Sequence, residues 1–546
     1  MAFSLGRFSL SPSLAVSSSN NQQLAMQQHV SAPSQDYMVM YHEKMKEIRR
    51  ILANTITRSQ LESLILVDKL QHLAIDYHFK DEIHYILSSH YKSLTNGGGA
   101  TVSSFEVSLG FQLLRQNGYL VSTDVFQRLT DSKGGFIEEL KYDLGGVMGL
   151  YQASQFGIEE EGILDQVSAF TKANLVGVLP HLNQDQASVE SVNLDHLYHK
   201  TLTRFSLKHY IKTNENGHEM YNNLLHQFAK LDFNLVQSLH QSELQQFSSW
   251  WRDLGLAQKL NFARDQPIKW YMWSLAALED PRLSEERIQL TKPISLIYLM
   301  DDIFDVYGTL DELILFTEAI NKWEVKESLP YPMKLFLNAL NDITDEFSYE
   351  ILRKHGWNPK TSLKTAWVRL CNAFLVEAKW FASGQLPTSE EYLNNGVISS
   401  GVHVVFVHIF FLLGEGISKE SVDLLDKVPS LVSNSATILR LWDDLGSAKD
   451  ENQNGYDGSY IDCYLKDHKE ATLESAREHV ISLISVAWKK LNKEYLTPTL
   501  FPLSFKKTSL NVAKMVSLMY NYDTNQQLPS LEKQIKSLLY ESIPLQ

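Results

Sequence analysis

Ile294-Ser295-Leu296-Ile297-Tyr298-Leu299-Met300-Asp301-Asp302-Ile303-Phe304-Asp305 is the stretch on which the reading of this chain turns. A largely apolar run passes straight into a cluster of carboxylates, which are costly there unless a cation or hydrogen bonds compensate them. On one helix Asp301 and Asp305 stand at i and i+4 and share a face. Asp302 lies about 100° around the helix and is expected to support that pair. Far downstream a second acidic group, Asp443-Asp444-Leu445-Gly446-Ser447-Ala448-Lys449-Asp450-Glu451, follows another apolar stretch. Asp443, Ser447 and Glu451 fall at i, i+4 and i+8, one stripe along a helix. Two carboxylates and a hydroxyl form a hard oxygen set suited to Mg²⁺ or Mn²⁺ rather than zinc. Mg²⁺ favours one or two carboxylates with water and substrate phosphate over a closed protein cage. Arg440 faces much the same way as Asp443; its fork suits either a salt bridge to these acids or donation to diphosphate oxygens. Either cluster alone also reads as a solvated acidic face. Both together, each on an apolar helix, point to metal ions and a diphosphate.

Composition narrows the class further. A chain of 546 residues exceeds one ordinary domain, and 44% hydrophobic with 21% charged residues describes a globular protein with a large core. A net charge of −14 argues against nucleic acid, whose phosphates need a basic surface. An anionic small molecule is still acceptable where metals supply the positive charge. Cys371 and Cys463 are the only cysteines, which excludes a disulfide scaffold and a Cys-rich zinc site; both read as small buried hydrophobes. The first 35 residues hold nine serines, one arginine (Arg7) and no acid. That composition suits an organelle transit peptide, and a disordered tail shares it. Val397 to Leu413 is apolar enough to raise a membrane question. Ser399, Ser400, Gly401, His403 and His408 interrupt it, so a buried helix and no membrane span are expected.

From Ser34 onward the pattern is helix after helix, with i, i+3, i+4 apolar spacing from Tyr37 to Asn54 and from Leu61 to Tyr77. Long alternating strand patterns are missing. Asn96 to Ala100 reads as a flexible loop rather than a phosphate loop, since no Gly-Lys-Ser/Thr follows. Asn214 to His218 reads as another loop. The acidic motifs and every tryptophan, beginning at Trp250, fall in the later part of the chain. The expectation is an all-α protein of two domains built as helical barrels or bundles: residues 1–35 as a tail or transit peptide, 36–232 as an N-terminal helical domain, and 233–546 as the metal-binding domain.

These motifs resemble those of class I terpene synthases. Asp301-Asp302-Ile303-Phe304-Asp305 is similar to the family's DDxxD, and Asp443 through Glu451 to its (N/D)Dxx(S/T)xxxE. Asp143 to Ser154, Pro387-Thr388 with Glu391-Tyr392, and Ser399-Ser400-Gly401 also match, so the resemblance covers nearly the whole chain from about residue 36. It implies an N-terminal β-domain without an active site and a C-terminal α-domain that holds one, with a helix break at Ser399–Gly401 lining the cavity. The Asp-x-Asp-Asp motif of class II cyclases is absent from the N-terminal part, so the resemblance implies ionisation-initiated chemistry only.

Departures from the common plant pattern point to a subgroup. Arg49-Arg50 lacks the tryptophan that follows the paired arginines of many cyclising monoterpene synthases. The family's Arg-Asp-Arg is Arg264-Asp265-Gln266 here. Both departures resemble the g-type subfamily, whose members mainly release the acyclic tertiary alcohols linalool, from geranyl diphosphate, and nerolidol, from farnesyl diphosphate. Tyr520 fits the family's active-site tyrosine and Asp523 its downstream aspartate, whereas Thr524-Asn525 replaces the following Gly-Tyr.

The resemblance implies that Asp301, Asp305, Asp443, Ser447 and Glu451 hold Mg²⁺, with Mn²⁺ as the substitute ion. Arg264 and Arg440 would donate to the diphosphate, and Trp273, Tyr298 and Phe304 would face the carbocation. Water attack at C3 then yields the tertiary alcohol. The rivals are a terpene synthase that releases a hydrocarbon and a non-catalytic helical protein that binds prenyl diphosphates. The implied partner is a prenyl diphosphate, the implied state a monomer. The compartment reads as plastid, with the cytosol as the alternative.

Overall fold

A computed structural model describes residues 34–56, 59–95, 103–130, 136–178 (apart from 138, 139 and 141), 198–214, 221–447, 458–521 and 528–545. The N-terminal tail up to residue 33, the Asn96–Ala100 loop, most of the Asn214–His218 loop, Glu451, the Ser447 side chain and Asp523–Asn525 lie outside the described residues.

Among the described residues there are helices and a single isolated bridge, Thr130 to Phe136, but no strand. The chain falls into two compact units, one built on Ser31–Ser238 and the other on Leu239–Glu494 with Pro498–Ile535; Tyr495–Thr497 and Lys536–Gln546 belong to the first. In the first unit the helices are α1 (Gln35–Ile56), α2 (Gln60–His72), α3 (Lys80–Thr95), α4 (Ser104–Gln116), α5 (Leu144–Ser154), α6 (Gly162–Val178) and α7 (Thr203–Thr213). The next helix, α8 (Asn222–Leu254), contains the division point.

The apolar spacing of Leu61–Tyr77 overruns the helix that forms there. Ala74 takes a left-handed φ of 53° and the Ile75 N–H donates to Leu70 O, a Schellman-type ending. Tyr77 and His78 are thereby released to meet Asp232. That carboxylate, 1% exposed, accepts from the hydroxyls of Tyr41 and Tyr77 and from His78 Nε2 at 2.5–2.9 Å, with Arg204 at 3.6 Å. In the same unit, Asp143 caps α5 by accepting from Gly146 N, and Ser104 Oγ donates to the same side chain.

The second unit continues with α9 (Pro267–Ala277), α10 (Ser284–Asp302), α11 (Leu310–Lys322), α12 (Tyr331–His355), α13 (Lys360–Ser383), α14 (Ser389–Ser399), α15 (Val402–Leu413), α16 (Ser430–Ser447), α17 (Tyr460–Asp467), α18 (Leu473–Leu496), α19 (Leu503–Met519) and α20 (Pro529–Leu539). Helices α9, α10, α13, α14, α16 and α19 pack in sequence and close a ring, with α13 meeting α10 through the turn that follows it; α15 lies against α10, α13, α16 and α19. One ion pair pins the start of this ring. Arg287 and Glu243 are both fully buried; the guanidinium donates twice to Glu243, at 2.6 and 2.8 Å, and to the carbonyls of Leu278, Asp280 and Pro281, while Tyr271 Oη donates to Glu243. Every donor of the fork is used, which is what a buried charge requires.

Ser389–Leu413 is long and apolar enough to cross a membrane, yet 78% of its apolar window is buried against the rest of the chain. It is also two helices rather than one. Gly401, at φ +72°, separates α14 from α15. Both cysteines are buried, and burial pushes each thiol up to about 12, as expected of inert core residues.

Candidate active site

The broken helix supplies one wall of a cavity inside the second unit. Its lining is apolar and aromatic: Trp273 and Ala277 from α9, Ile297 and Tyr298 from α10, and Tyr520 at the end of α19 are among its walls. A Cβ at position 401 would stand 2.7 Å from Ile297 Cγ2, so only glycine allows this approach as well as the left-handed turn. Trp273 Nε1 donates to Tyr298 Oη at 3.1 Å, and the Trp273 and Tyr520 rings lie 6.4 Å apart. Phe304 is placed differently from the expectation. It packs against Phe316 and Phe374 rather than into the cavity lining.

The first acidic cluster stands on the end of α10. Beyond Asp302 the helix widens into a π turn, Ile303–Tyr307, closed by Gly308 N donating to Ile303 O at 2.9 Å. Asp301 and Asp302 are buried, and Asp305 on the wide turn is half-buried. Asp301 forms an ion pair with Arg264, whose Nε also lies 2.7 Å from Asp302 Oδ1 and whose backbone N–H donates to Asp302 Oδ2. The supporting role expected of Asp302 therefore takes the form of anchoring Arg264. The Arg264 guanidinium also lies 5.1 Å from the Tyr298 ring centroid.

The second cluster faces it from α16. Arg440 is 2% exposed; its Nη2 donates to Ser399 Oγ at 2.8 Å, and Nη1 lies 3.8 Å from Asp443 Oδ2. Gly396 makes room for it, since a Cβ there would meet Arg440 Cγ at 3.0 Å. Asp444 turns away from this group, accepting from Tyr392 Oη and Tyr460 N. Tyr392 follows the capping box of Thr388 and Glu391, so Thr388, Glu391 and Tyr392 start α14 and tie it to α16.

Two further side chains reach this site that the motifs did not single out. Glu377 on α13 is 4% exposed, accepts from Ser399 Oγ and Asn395 Nδ2, and lies 3.9 Å from Arg440. Its signal was a lone acid on the buried stripe of Leu370, Ala373 and Phe374. Lys269, one turn before Trp273 on α9, carries its ammonium 6.0 Å from the Tyr298 ring. A cation in step with cavity-lining Trp273 and Ala277 was the readable sign.

Electrostatically the site holds more negative charge than its arginines neutralise. Burial, then repulsion from Asp301 and Glu377, pushes the Asp305 carboxyl well above the carboxylate range. Burial raises Asp443 to about 8 despite Arg440, with Asp444 and Asp301 adding repulsion. Asp305 Oδ2 is buried with no hydrogen-bond partner among the described residues. An orphaned carboxylate oxygen beside further acids fits a divalent cation. Among the described residues no three acid, histidine or cysteine groups are arranged to hold a metal ion by themselves.

Comparison with known proteins agrees with this geometry. The model for the terpene synthase family, metal binding domain, matches residues 252–490, and that for the terpene synthase N-terminal domain matches residues 14–195. This chain belongs to the plant terpene synthase family, whose members bind prenyl diphosphates and use divalent metal. An (E)-nerolidol synthase of Cannabis sativa is 48% identical over 88% of this chain and 88% of its own length. A chloroplastic S-(+)-linalool synthase of Arabidopsis thaliana is 44% identical over 93% and 90%, and a chloroplastic tricyclene synthase of Antirrhinum majus 44% identical over 95% and 90%. Among solved structures, isoprene synthase from grey poplar, in complex with three Mg²⁺ ions and dimethylallyl-S-thiolodiphosphate, superposes with a TM-score of 0.85 at 33% identity, covering 94% of this chain and 99% of that one.

Proposed function

We propose that the protein is a Mg²⁺-dependent class I synthase that ionises geranyl or farnesyl diphosphate and releases an acyclic tertiary alcohol, linalool or nerolidol, with diphosphate. The observation that carries this reading is an apolar aromatic cavity beside which α10 and α16 bring acidic clusters, each with an arginine, half-buried Arg264 at Asp301 and buried Arg440 at Asp443. Asp301, Asp305, Asp443, Ser447 and Glu451 are assigned to the ions, with Mn²⁺ as the substitute. When bound, Mg²⁺ neutralises charge developing on the departing diphosphate. Arg264 and Arg440 donate to the same oxygens in charge-assisted bonds. Trp273 and Tyr298 offer aromatic faces to the allylic cation, and Tyr520 shapes the wall beside Trp273. The Tyr298 hydroxyl already accepts from Trp273, which occupies one of its two lone pairs. Water adding at C3 and losing a proton gives the alcohol.

Gln266 supports early quenching. It stands at the start of α9, next to Pro267, with Oε1 buried and without a partner among the described residues. Gln offers a neutral donor where Arg would hold diphosphate bidentately. Incubation with geranyl and farnesyl diphosphates and Mg²⁺, followed by chiral gas chromatography, tests the product. In Gln266→Arg the alcohol fraction should fall in favour of hydrocarbons; an unchanged fraction removes Gln266 from the explanation.

A second reading, a cyclic or acyclic hydrocarbon as main product, has its own support in the 44% identity to the tricyclene synthase. The same chromatogram separates the two. For location we propose the plastid, from the Ser-rich, acid-free start of the chain and the chloroplastic relatives. A fluorescent protein carrying residues 1–35 that stays in the cytosol would overturn it.

A further inference from the structure

We infer that Lys269 is a third cationic contact for the substrate diphosphate, taking the place of the cation that Gln266 lacks; the inference rests on the reading of this cavity as a prenyl diphosphate site. The placement comes first from the helix. Lys269, Trp273 and Ala277 lie at i, i+4 and i+8 on α9, and the last two line the cavity. Lys269 is thus one turn from Trp273, on the same face and toward the start of the helix, the end from which Arg264 reaches Asp301. Its Nζ lies 6.0 Å from the centroid of the Tyr298 ring, and the Arg264 guanidinium carbon lies 5.1 Å from the same centroid. Both cations therefore stand at one aromatic ring of the cavity wall.

The surroundings of the amine agree. Among the described residues Lys269 has neither a hydrogen-bond nor an ion-pair partner, in contrast to Arg264, which is held by Asp301 and Asp302. Burial, with Arg264 adding repulsion, lowers its amine to about 8, while Asp443 pulls the other way. An ammonium with three free donors can turn to a diphosphate oxygen as a point charge. Gln266 stands at i−3 from Lys269, so the two positions neighbour one another. The charge missing at one is supplied by the other, but as a point charge without the bidentate fork an arginine at 266 would offer.

The test uses the full-length protein and inorganic diphosphate as probe. Calorimetric titration with diphosphate in saturating Mg²⁺ is run on wild type, Lys269→Met, Lys269→Gln, Lys269→Arg and the double variant Lys269→Met/Gln266→Arg, alongside kinetics with geranyl and farnesyl diphosphates. Loss of a charge-assisted contact should weaken diphosphate binding roughly 10- to 100-fold in the Met and Gln variants. KM should rise for both substrates by a similar factor. Lys269→Arg should bind like wild type, and the double variant should recover most of the lost affinity. A merely structural lysine would not be rescued from position 266. If wild type binds diphosphate and Lys269→Met or Lys269→Gln binds as tightly, the Lys269 assignment is wrong while the site reading stands. If wild type neither binds diphosphate with Mg²⁺ nor turns over a prenyl diphosphate, the site reading falls and this assignment with it.

Discussion

Two carboxylates of one motif should respond to removal in opposite directions. Asp301 is an anchor in the protein as it stands, because its buried carboxylate pairs with the half-buried Arg264. Asp305 has an orphaned oxygen and is repelled by Asp301 and Glu377. Asp301→Ala strips one charge-assisted bond from Arg264, worth about 1.5–3 kcal/mol. Asp302 remains 2.7 Å from Arg264 Nε and limits the loss, so about 2 kcal/mol is expected. For a domain of this size that corresponds to a fall in Tm of roughly 3 °C. Asp305→Ala removes a repulsive partner and no hydrogen bond, so Tm should stay level or rise. Scanning calorimetry in EDTA at pH 8 measures both. With Mg²⁺ and prenyl diphosphate, each variant should lose turnover by at least about a hundredfold, since the ions lose a ligand. An Asp305→Ala protein that melts as low as Asp301→Ala would refute the electrostatic reasoning. Persistent metal-dependent activity in either would sink the assignment of the motif.

Three other outcomes are expected. Gly401→Ala meets both the left-handed φ, costing about 1–2 kcal/mol, and Ile297, a cavity-lining residue; Tm should drop by several degrees and turnover of farnesyl diphosphate should fall relative to geranyl diphosphate. Glu243→Ala leaves the Arg287 guanidinium buried without its carboxylate, a loss of about 3–5 kcal/mol readable by denaturant titration. His403 and His408, buried in α15 and held at about 4, must gain protons on unfolding, so stability should be full above about pH 6.5 and fall as pH drops toward 4, by on the order of 3 kcal/mol per histidine. His408→Leu should flatten that slope; an unchanged acid profile would show that the ring is not what titrates.

The metal motifs were legible because carboxylates after an apolar run leave few alternatives; Asp301 ends up on α10 and Asp305 on the wide turn that follows it, a change of coil that spacing alone does not show. The all-α architecture followed from apolar periodicity in the same way. Other parts depend on pairs of elements that no single segment reveals. Arg264 reaches Asp301 and Asp302 from the loop before α9, and Asp444 is claimed by Tyr392 rather than by the cavity. Phe304 had the composition of a cavity residue and packs in the core, since only neighbours decide which way an aromatic ring faces. Glu377 and Lys269 did carry a signal, a charge in step with an apolar stripe, but a single charge weighs less than a cluster. The early stop of α2 turned on the left-handed Ala74, a conformation that alanine does not advertise.

The wide turn at Ile303–Tyr307 bears on how natural variants of this region should be interpreted. Closing a loop of hydrogen bonds around five residues instead of four makes the position of Asp305 a matter of counting rather than of residue identity. Replacing Ile303 or Val306 by another aliphatic residue leaves the count intact. Deleting Ile303 or Phe304 would tighten the coil and re-aim the last aspartate. Insertions and deletions there therefore act as changes of gear, while substitutions act only as changes of fit, and an otherwise well-matched sequence that is one residue short in this turn would have a differently aimed carboxylate.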